Sequence, residues 1–290
     1  MDEIKKCLKN NRSHLSESSL NTYTSTLKNL FYKVYGNEQF DINKFNDPKI
    51  ILKYLEKVEP NKRKSILSSL YVLTLNKDFQ NKMMSDISSY NENIKMELKD
   101  PKQEQYWISK DELDEVYQRE KGKALFLFKK KNLTQEDLNE IQNYILLSLY
   151  ILIPPRRSTD YTEMKIKNIT PDDNYIDKND FVFNKYKTSK FYNQQREKIS
   201  KELITILKKW IKINPTEYLL FDSKGGKMTP SKLTRKLNKI FDKNISTSAL
   251  RHFYISNKYQ DYIKEKDALT DDLKKMGSSI LQQNVYLKKD

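Results

Sequence analysis

Cysteine occurs once in the 290 residues, at Cys7. A single thiol excludes an internal disulfide framework and fits a reducing, intracellular setting, cytoplasm or nucleus, rather than secretion. Histidine occurs twice, at His14 and His252, so no Cys/His zinc site can be assembled. Long apolar runs are missing too. The longest, Tyr144–Ile153, is broken by Ser148 and falls short of the roughly 20 residues a membrane helix needs. The opening Met-Asp-Glu-Ile-Lys-Lys is charged and lacks an apolar segment, which argues against a signal peptide. Gly226-Lys227 has neither the upstream glycine nor the downstream Ser/Thr of a phosphate-binding loop. No internal repeat is visible. Acidic side chains are outnumbered, 39 against 54 basic ones, which leaves a net charge of +15.

That excess points to a polyanionic partner, because each Lys or Arg near a phosphate releases condensed counterions. Lysine-rich coding bias alone would produce much of it. Mean hydropathy is −0.84, yet 37% of residues are hydrophobic, with 19 Tyr and 12 Phe. The chain therefore has the means to build a core, and its length suggests two domains.

Residues 1–98 read as nearly all helix. Ser16 or Ser18 can cap a helix running to about Val34, with Leu20, Tyr23, Leu27, Leu30 and Phe31 at helical spacing. Gly36 ends it. Asp47-Pro48 opens a second helix and Pro60 a third, to about Leu75; a fourth covers about Phe79–Leu98. Lys62, Arg63 and Lys64 at a helix start are candidate phosphate contacts, with a solvated charged face as the plain alternative. Residues 99–107 are polar, contain Pro101 and read as a linker. Trp107 and Ile108 are expected to dock at the start of the second domain, residues 108–290.

A helix near Lys110–Gln118 opens that domain. Thr134 to Asp137 resembles a capping box before a nearly continuous apolar helix, stopped by Pro154-Pro155. Strands are expected at Met164–Ile169, Tyr175–Asp177, Phe181–Phe183 and Glu197–Ile199. Helices follow at Leu203–Ile213, Pro230–Phe241, Ser246–Tyr259 and Leu269–Lys275. The fold class is therefore α+β, mostly helix with a small β-sheet.

Several residues in this order form a chemical set: Arg156-Arg157, Lys187-Thr188-Ser189-Lys190, Ser248-Ala249-Leu250-Arg251-His252, Met276-Gly277-Ser278-Ser279, and Tyr286. Attack on a phosphodiester by a side-chain hydroxyl needs a nucleophile, cations on the non-bridging oxygens, and a proton donor for the leaving oxygen. Arginine suits the cationic task, since its planar fork holds two phosphate oxygens and keeps its charge. Ser248 and Arg251 share a helical face at spacing three, so both can meet one phosphate.

In these residues the chain resembles the tyrosine recombinase (phage-integrase) family, over most of its length, and in general character the divergent integrases of large DNA viruses and mobile elements. The resemblance implies a helical, SAM-like core-binding domain and a mixed catalytic domain. The family's first box is matched by Arg157, with Asp160 three residues on as a supporting acid. This is why Arg157 is preferred to Arg156. The hairpin lysine is matched by Lys187, in competition with Lys185 and Lys190. Lys190 is also a candidate DNA contact. Arg251 matches the second arginine, with His252 as a packing histidine, and Tyr286 matches the nucleophile, nine residues after Gly277.

Two positions depart from the family. Ser248 stands where His or Lys is usual, and Ser278 where His or Trp is usual. A serine donates a hydrogen bond but carries no charge at neutral pH. The implied function is a site-specific DNA recombinase or integrase working through a 3′-phosphotyrosyl intermediate, with no cofactor or metal. The implied partner is double-stranded DNA, bound by a homotetramer, with a monomer open as the free form. A type IB topoisomerase shares the chemistry. A recombinase-derived DNA-binding protein with weakened catalysis is the reading the two serines favour.

Overall fold

In the computed structural model, residues 2–95, 99 and 101–276 are described. The chain divides into two compact units, Met1–Lys99 and Asp100–Asp290.

The first unit is helical. Helix α1 (Asp2–Asn11) is followed by α2 (Glu17–Tyr35), whose N-cap Ser16 accepts from the Ser19 amide. Gly36 ends α2 at φ +67°, a left-handed conformation that glycine adopts without a Cβ penalty. A 3₁₀ turn at Ile42–Asn46 leads through Asp47 into α3 (Pro48–Leu55). Helices α4 (Pro60–Thr74) and α5 (Lys77–Lys95) complete the unit. The apolar spacing read in α2 produces the core. Leu20, Leu27, Leu30 and Phe31 are buried with Phe45, Ile51, Leu55, Leu67, Leu70 and Phe79. Tyr23 is half-buried, its hydroxyl 2.8 Å from Ser68 Oγ.

Here the structure corrects one expectation. Arg63 does not face solvent. It is buried, with Nε 2.7 Å and Nη2 2.6 Å from the two carboxylate oxygens of Asp86, and Nη1 donates to the Leu55 and Val58 carbonyls. A buried charge must be paired and hydrogen-bonded to be tolerated, and Arg63 meets that condition by joining α4 to α5. Lys62 is exposed, and Lys64 is half-buried with Nζ 3.9 Å from the Tyr90 ring centroid.

In the second unit, Pro101–Tyr106 forms a short helix, α6, within the stretch read as linker. Of the expected docking pair, Ile108 is buried in the core and Trp107 is half-buried. Helix α7 (Lys110–Leu127) runs well past Gln118. Helix α8 (Gln135–Ile151) begins with the Thr134/Asp137 capping box, both reciprocal bonds in place. Its buried residues Ile141, Tyr144, Ile145, Leu146, Leu147, Leu149 and Tyr150 lie all round the helix, so it is the centre of the core. Ser148 is tolerated there because its Oγ donates to the Tyr144 carbonyl at 2.8 Å. Gln142, fully buried, donates to the Phe221 carbonyl and accepts from the Phe221 amide.

A short helix α9 (Ser158–Thr162) precedes a four-stranded mixed sheet in the order β1 (Met164–Lys165), β2 (Asn174–Asp177), β3 (Asp180–Phe183), β4 (Gln195–Lys198). The first pair is parallel and the other two antiparallel. The strand expected over Met164–Ile169 is only two residues long, because Asn168 turns the chain at φ +50°. Helices α10 (Ser189–Tyr192), α11 (Lys201–Ile213), α12 (Pro230–Phe241), α13 (Thr247–Lys258) and α14 (Gln260–Lys275) follow. Helix α14 starts nine residues before the expected Leu269. The unit is thus mostly helical with a small sheet, as the sequence reading has it. Among the described residues no helix is long and apolar enough to cross a membrane.

Candidate active site

Pro154-Pro155 stops α8, and the chain emerges extended through Arg156 and Arg157 before α9 begins. Arg157 is the N-cap of α9 at φ −66°, ψ 152°. The two arginines have different surroundings. Arg156 donates from Nε to Asp160 Oδ2 at 2.9 Å and from Nη2 to Gln195 Oε1 at 3.0 Å, and its guanidinium lies 3.9 Å from the Phe183 ring centroid. Asp160 is buried, so Arg156 is the partner that compensates its charge. Arg157 is half-buried and makes no side-chain hydrogen bond among the described residues. It lines a groove of about 700 Å³ together with Ser158, Thr159, Glu163, Lys185, Tyr186, Lys187, Thr247, Ser248 and Arg251. The acid three residues after Arg157 is buried, and the arginine it holds is Arg156.

Arg251 reaches the groove from α13. Its Nε donates to the Pro155 carbonyl at 3.2 Å, which pins α13 to the segment carrying Arg157. Ser248, one turn earlier on α13, lines the same groove. His252 is exposed among the described residues and does not pack the site, because residue 252 falls on the other side of α13 from the buried Leu250.

The β3–β4 connection brings the lysines. Lys187 is exposed, lines the groove and has no ion pair among the described residues. Lys185 also lines it, but its Nζ lies 3.1 Å from Asp173 Oδ1, and Lys165 Nζ approaches the other oxygen at 3.2 Å. Burial works to raise the Asp173 carboxyl. Hydrogen bonds from the Thr170 amide and hydroxyl, then from Lys185 and Lys165, outweigh it and hold the group well below the usual carboxylate range. Among the described residues, Lys185 is therefore committed to a carboxylate and Lys187 is not. Lys190 sits on α10 and lines neither this groove nor the adjoining one of about 390 Å³, which shares Arg157, Tyr186 and Arg251.

Two features of the site were not anticipated from sequence. Asn174, fully buried, donates to the carbonyls of Asp160 and Lys185 and accepts from the amides of Asn184 and Lys185. It thereby fastens the Lys187 turn to α9. Its position in a turn-rich stretch gave it the look of an ordinary turn asparagine. Glu163 places a carboxylate in the basic groove, with Lys227 Nζ 2.8 Å from its Oε1.

Ser278 and Tyr286 lie outside the described residues. Among the described residues no cluster of three or more His, Cys, Asp or Glu could hold a metal ion. The groove's cations that have no carboxylate partner among the described residues, Arg157, Arg251 and Lys187, suit an anionic ligand with several oxygens.

No protein-family model matches the chain, and no curated protein matches it. Among solved structures, the crystal structure of XerA recombinase aligns with 90% of this chain, covering 84% of that one, at 10% identity and a TM-score of 0.38. A likeness of that size assigns neither a family nor an activity to this chain.

Proposed function

We propose that this chain breaks and rejoins double-stranded DNA as a tyrosine recombinase. The observation that carries the reading is the convergence of Arg157, Lys187, Ser248 and Arg251, from segments up to 94 residues apart, on one groove. Charge develops on the non-bridging oxygens as a phosphodiester is attacked, and two arginine forks can bind both oxygens. Tyr286 supplies the nucleophile. Its Oη–phosphorus bond forms as the bond to the 5′-oxygen breaks, the phenolic proton passes to solvent, and Lys187 gives the leaving oxygen its proton. The ester keeps the energy of the broken bond, so a 5′-hydroxyl can reverse the step without ATP. Ser248 adds a hydrogen-bond donor to the phosphate.

The first unit is the second DNA-holding element in this reading, through Lys62 and Lys64, and the working assembly is a homotetramer on two DNA sites. The groove's serine favours one other reading, phosphate binding without turnover.

Covalent trapping separates the two. The full chain is mixed with nicked duplex DNA, denatured in detergent and resolved by electrophoresis. A protein–DNA adduct that forms without ATP and vanishes in Tyr286→Phe is the expected result. Bound DNA without an adduct assigns the groove to binding alone. Strand exchange between two labelled duplexes then distinguishes a recombinase from a type IB topoisomerase.

A further inference from the structure

The most exposed large hydrophobic side chain among the described residues is Phe191, at 82%, and its neighbour Tyr192 is 66% exposed. Both sit on α10, at the tip of the β3–β4 connection. An exposed aromatic pair on a loose loop would mean little, but this tip is braced. Tyr186 Oη donates to the Asn193 carbonyl at 2.6 Å, the Phe191 amide to the Thr188 carbonyl at 3.0 Å, and Gln194 Nε2 to Asn184 Oδ1 at 2.9 Å. The rings are held out in water by a turn that is itself tied down. Tyr192 also lines the second groove, beside Arg157 and Arg251.

We propose that Phe191, flanked by Tyr192, is a stacking wedge that occupies the gap beside an unstacked nucleobase in the DNA bound at the adjacent groove. The proposal rests on the DNA reading above and specifies which DNA the site favours. The patch is only two rings wide and is flanked by the exposed cations Lys187 and Lys190. Such a surface matches a nucleotide, with phosphates for the ammonium groups and a π-face for the ring. Opening a base step costs a few kcal/mol, and a ring that fills the gap recovers part of that cost. The cost is least where a base is already unpaired, so the preferred substrate is duplex DNA with a mismatched or unpaired base near the phosphate in the groove.

The test measures affinity of the full chain for a fully paired duplex and for the same duplex with a single 2-aminopurine mismatch, moved stepwise along it. The expected result is tighter binding of the mismatched duplex by roughly tenfold, the size of one base–aromatic stack, with quenching of the 2-aminopurine. Phe191→Ala should abolish the preference and the quenching, and Phe191→Trp should keep both. Phe126→Ala, which removes another exposed ring of this unit, should keep both as well. A wild-type chain that binds both duplexes equally, or a Phe191→Ala chain that retains the preference, overturns the wedge and leaves the DNA reading intact. A chain that binds neither duplex overturns both.

Discussion

Arg251 donates through Nε to the carbonyl of Pro155 at 3.2 Å, across 96 residues of sequence. The bond uses the guanidinium N–H nearest the side-chain stem. It fixes where the fork lies relative to Arg157, two residues after Pro155, and among the described residues leaves the two terminal nitrogens open toward the shared groove.

The neighbouring arginines should separate stability from activity. Arg156→Ala leaves the buried Asp160 carboxylate without its ion-pair partner and should destabilise the second unit by about 3 kcal/mol or more. Arg157→Ala removes no described hydrogen bond and should leave the melting temperature within a degree or two. It should cut adduct formation by about 10²-fold or more, the usual effect of losing one preorganised charge donor. Thermal melts beside trapping assays read both. Equal melting losses in the two variants would reverse the assignment.

Lys187 and Lys185 should differ in the same way. Lys187→Ala should slow cleavage by about 10²–10⁴-fold, the range of a general acid. A substrate with sulfur in place of the leaving 5′-oxygen needs no protonation and should restore the rate. Lys185→Ala should lose far less, since that ammonium is tied to Asp173. Failure of the sulfur substrate to rescue Lys187→Ala would remove the acid role from this lysine.

Arg63 and Asp86 should matter to folding and not to DNA. The hydrogen bonds from Arg63 hold the Asp86 carboxyl below its ordinary 3.8, against the opposing effect of burial. A folded value below the unfolded one contributes stability that is fully present above about pH 4. It is lost as pH falls through the folded value. Asp86→Asn should therefore be less stable than wild type at neutral pH and show a shallower loss on acidification. Arg63→Ala should cost about 3–5 kcal/mol, as breaking a buried pair does. Titrated unfolding of both variants in urea checks this.

At alkaline pH two opposed effects should appear. Burial pushes the half-buried Lys236 ammonium down from 10.5 to about 8. Between those values the unfolded chain binds the extra proton, so this lysine's contribution to stability rises with pH. Burial pushes the Tyr144, Tyr150 and Tyr161 hydroxyls above their ordinary 10. Their contribution is complete below pH 10 and is lost above it, where the unfolded tyrosines ionise. Melting temperature against pH should accordingly rise from about 8, then fall beyond 10, and Lys236→Met should lack the rise.

Much of this molecule is local in origin. Ser16, Asp47-Pro48, Pro60 and the Thr134/Asp137 box fix helix starts through their own backbone and the next turn, so the sequence alone places α2, α3, α4 and α8. Gly36 stops α2 the same way, and the apolar stripe of α2 selects its core residues. The pairing of Arg157 with Ser248 and Arg251 was legible as an ordered set of motifs, but not as a groove.

Tertiary structure alone decided which of two equivalent charges is free. Arg63 reads like Lys62 and Lys64 in sequence, yet Asp86, 23 residues away, takes it into the core. Arg156 and Arg157 differ because Asp160 and Gln195 meet one and not the other. Lys185 and Lys187 differ because Asp173 lies beneath only the first. A charge is fixed by the partner that offsets its desolvation, and in each of these three cases a partner comes from a distant turn, strand or helix that local pattern does not reach.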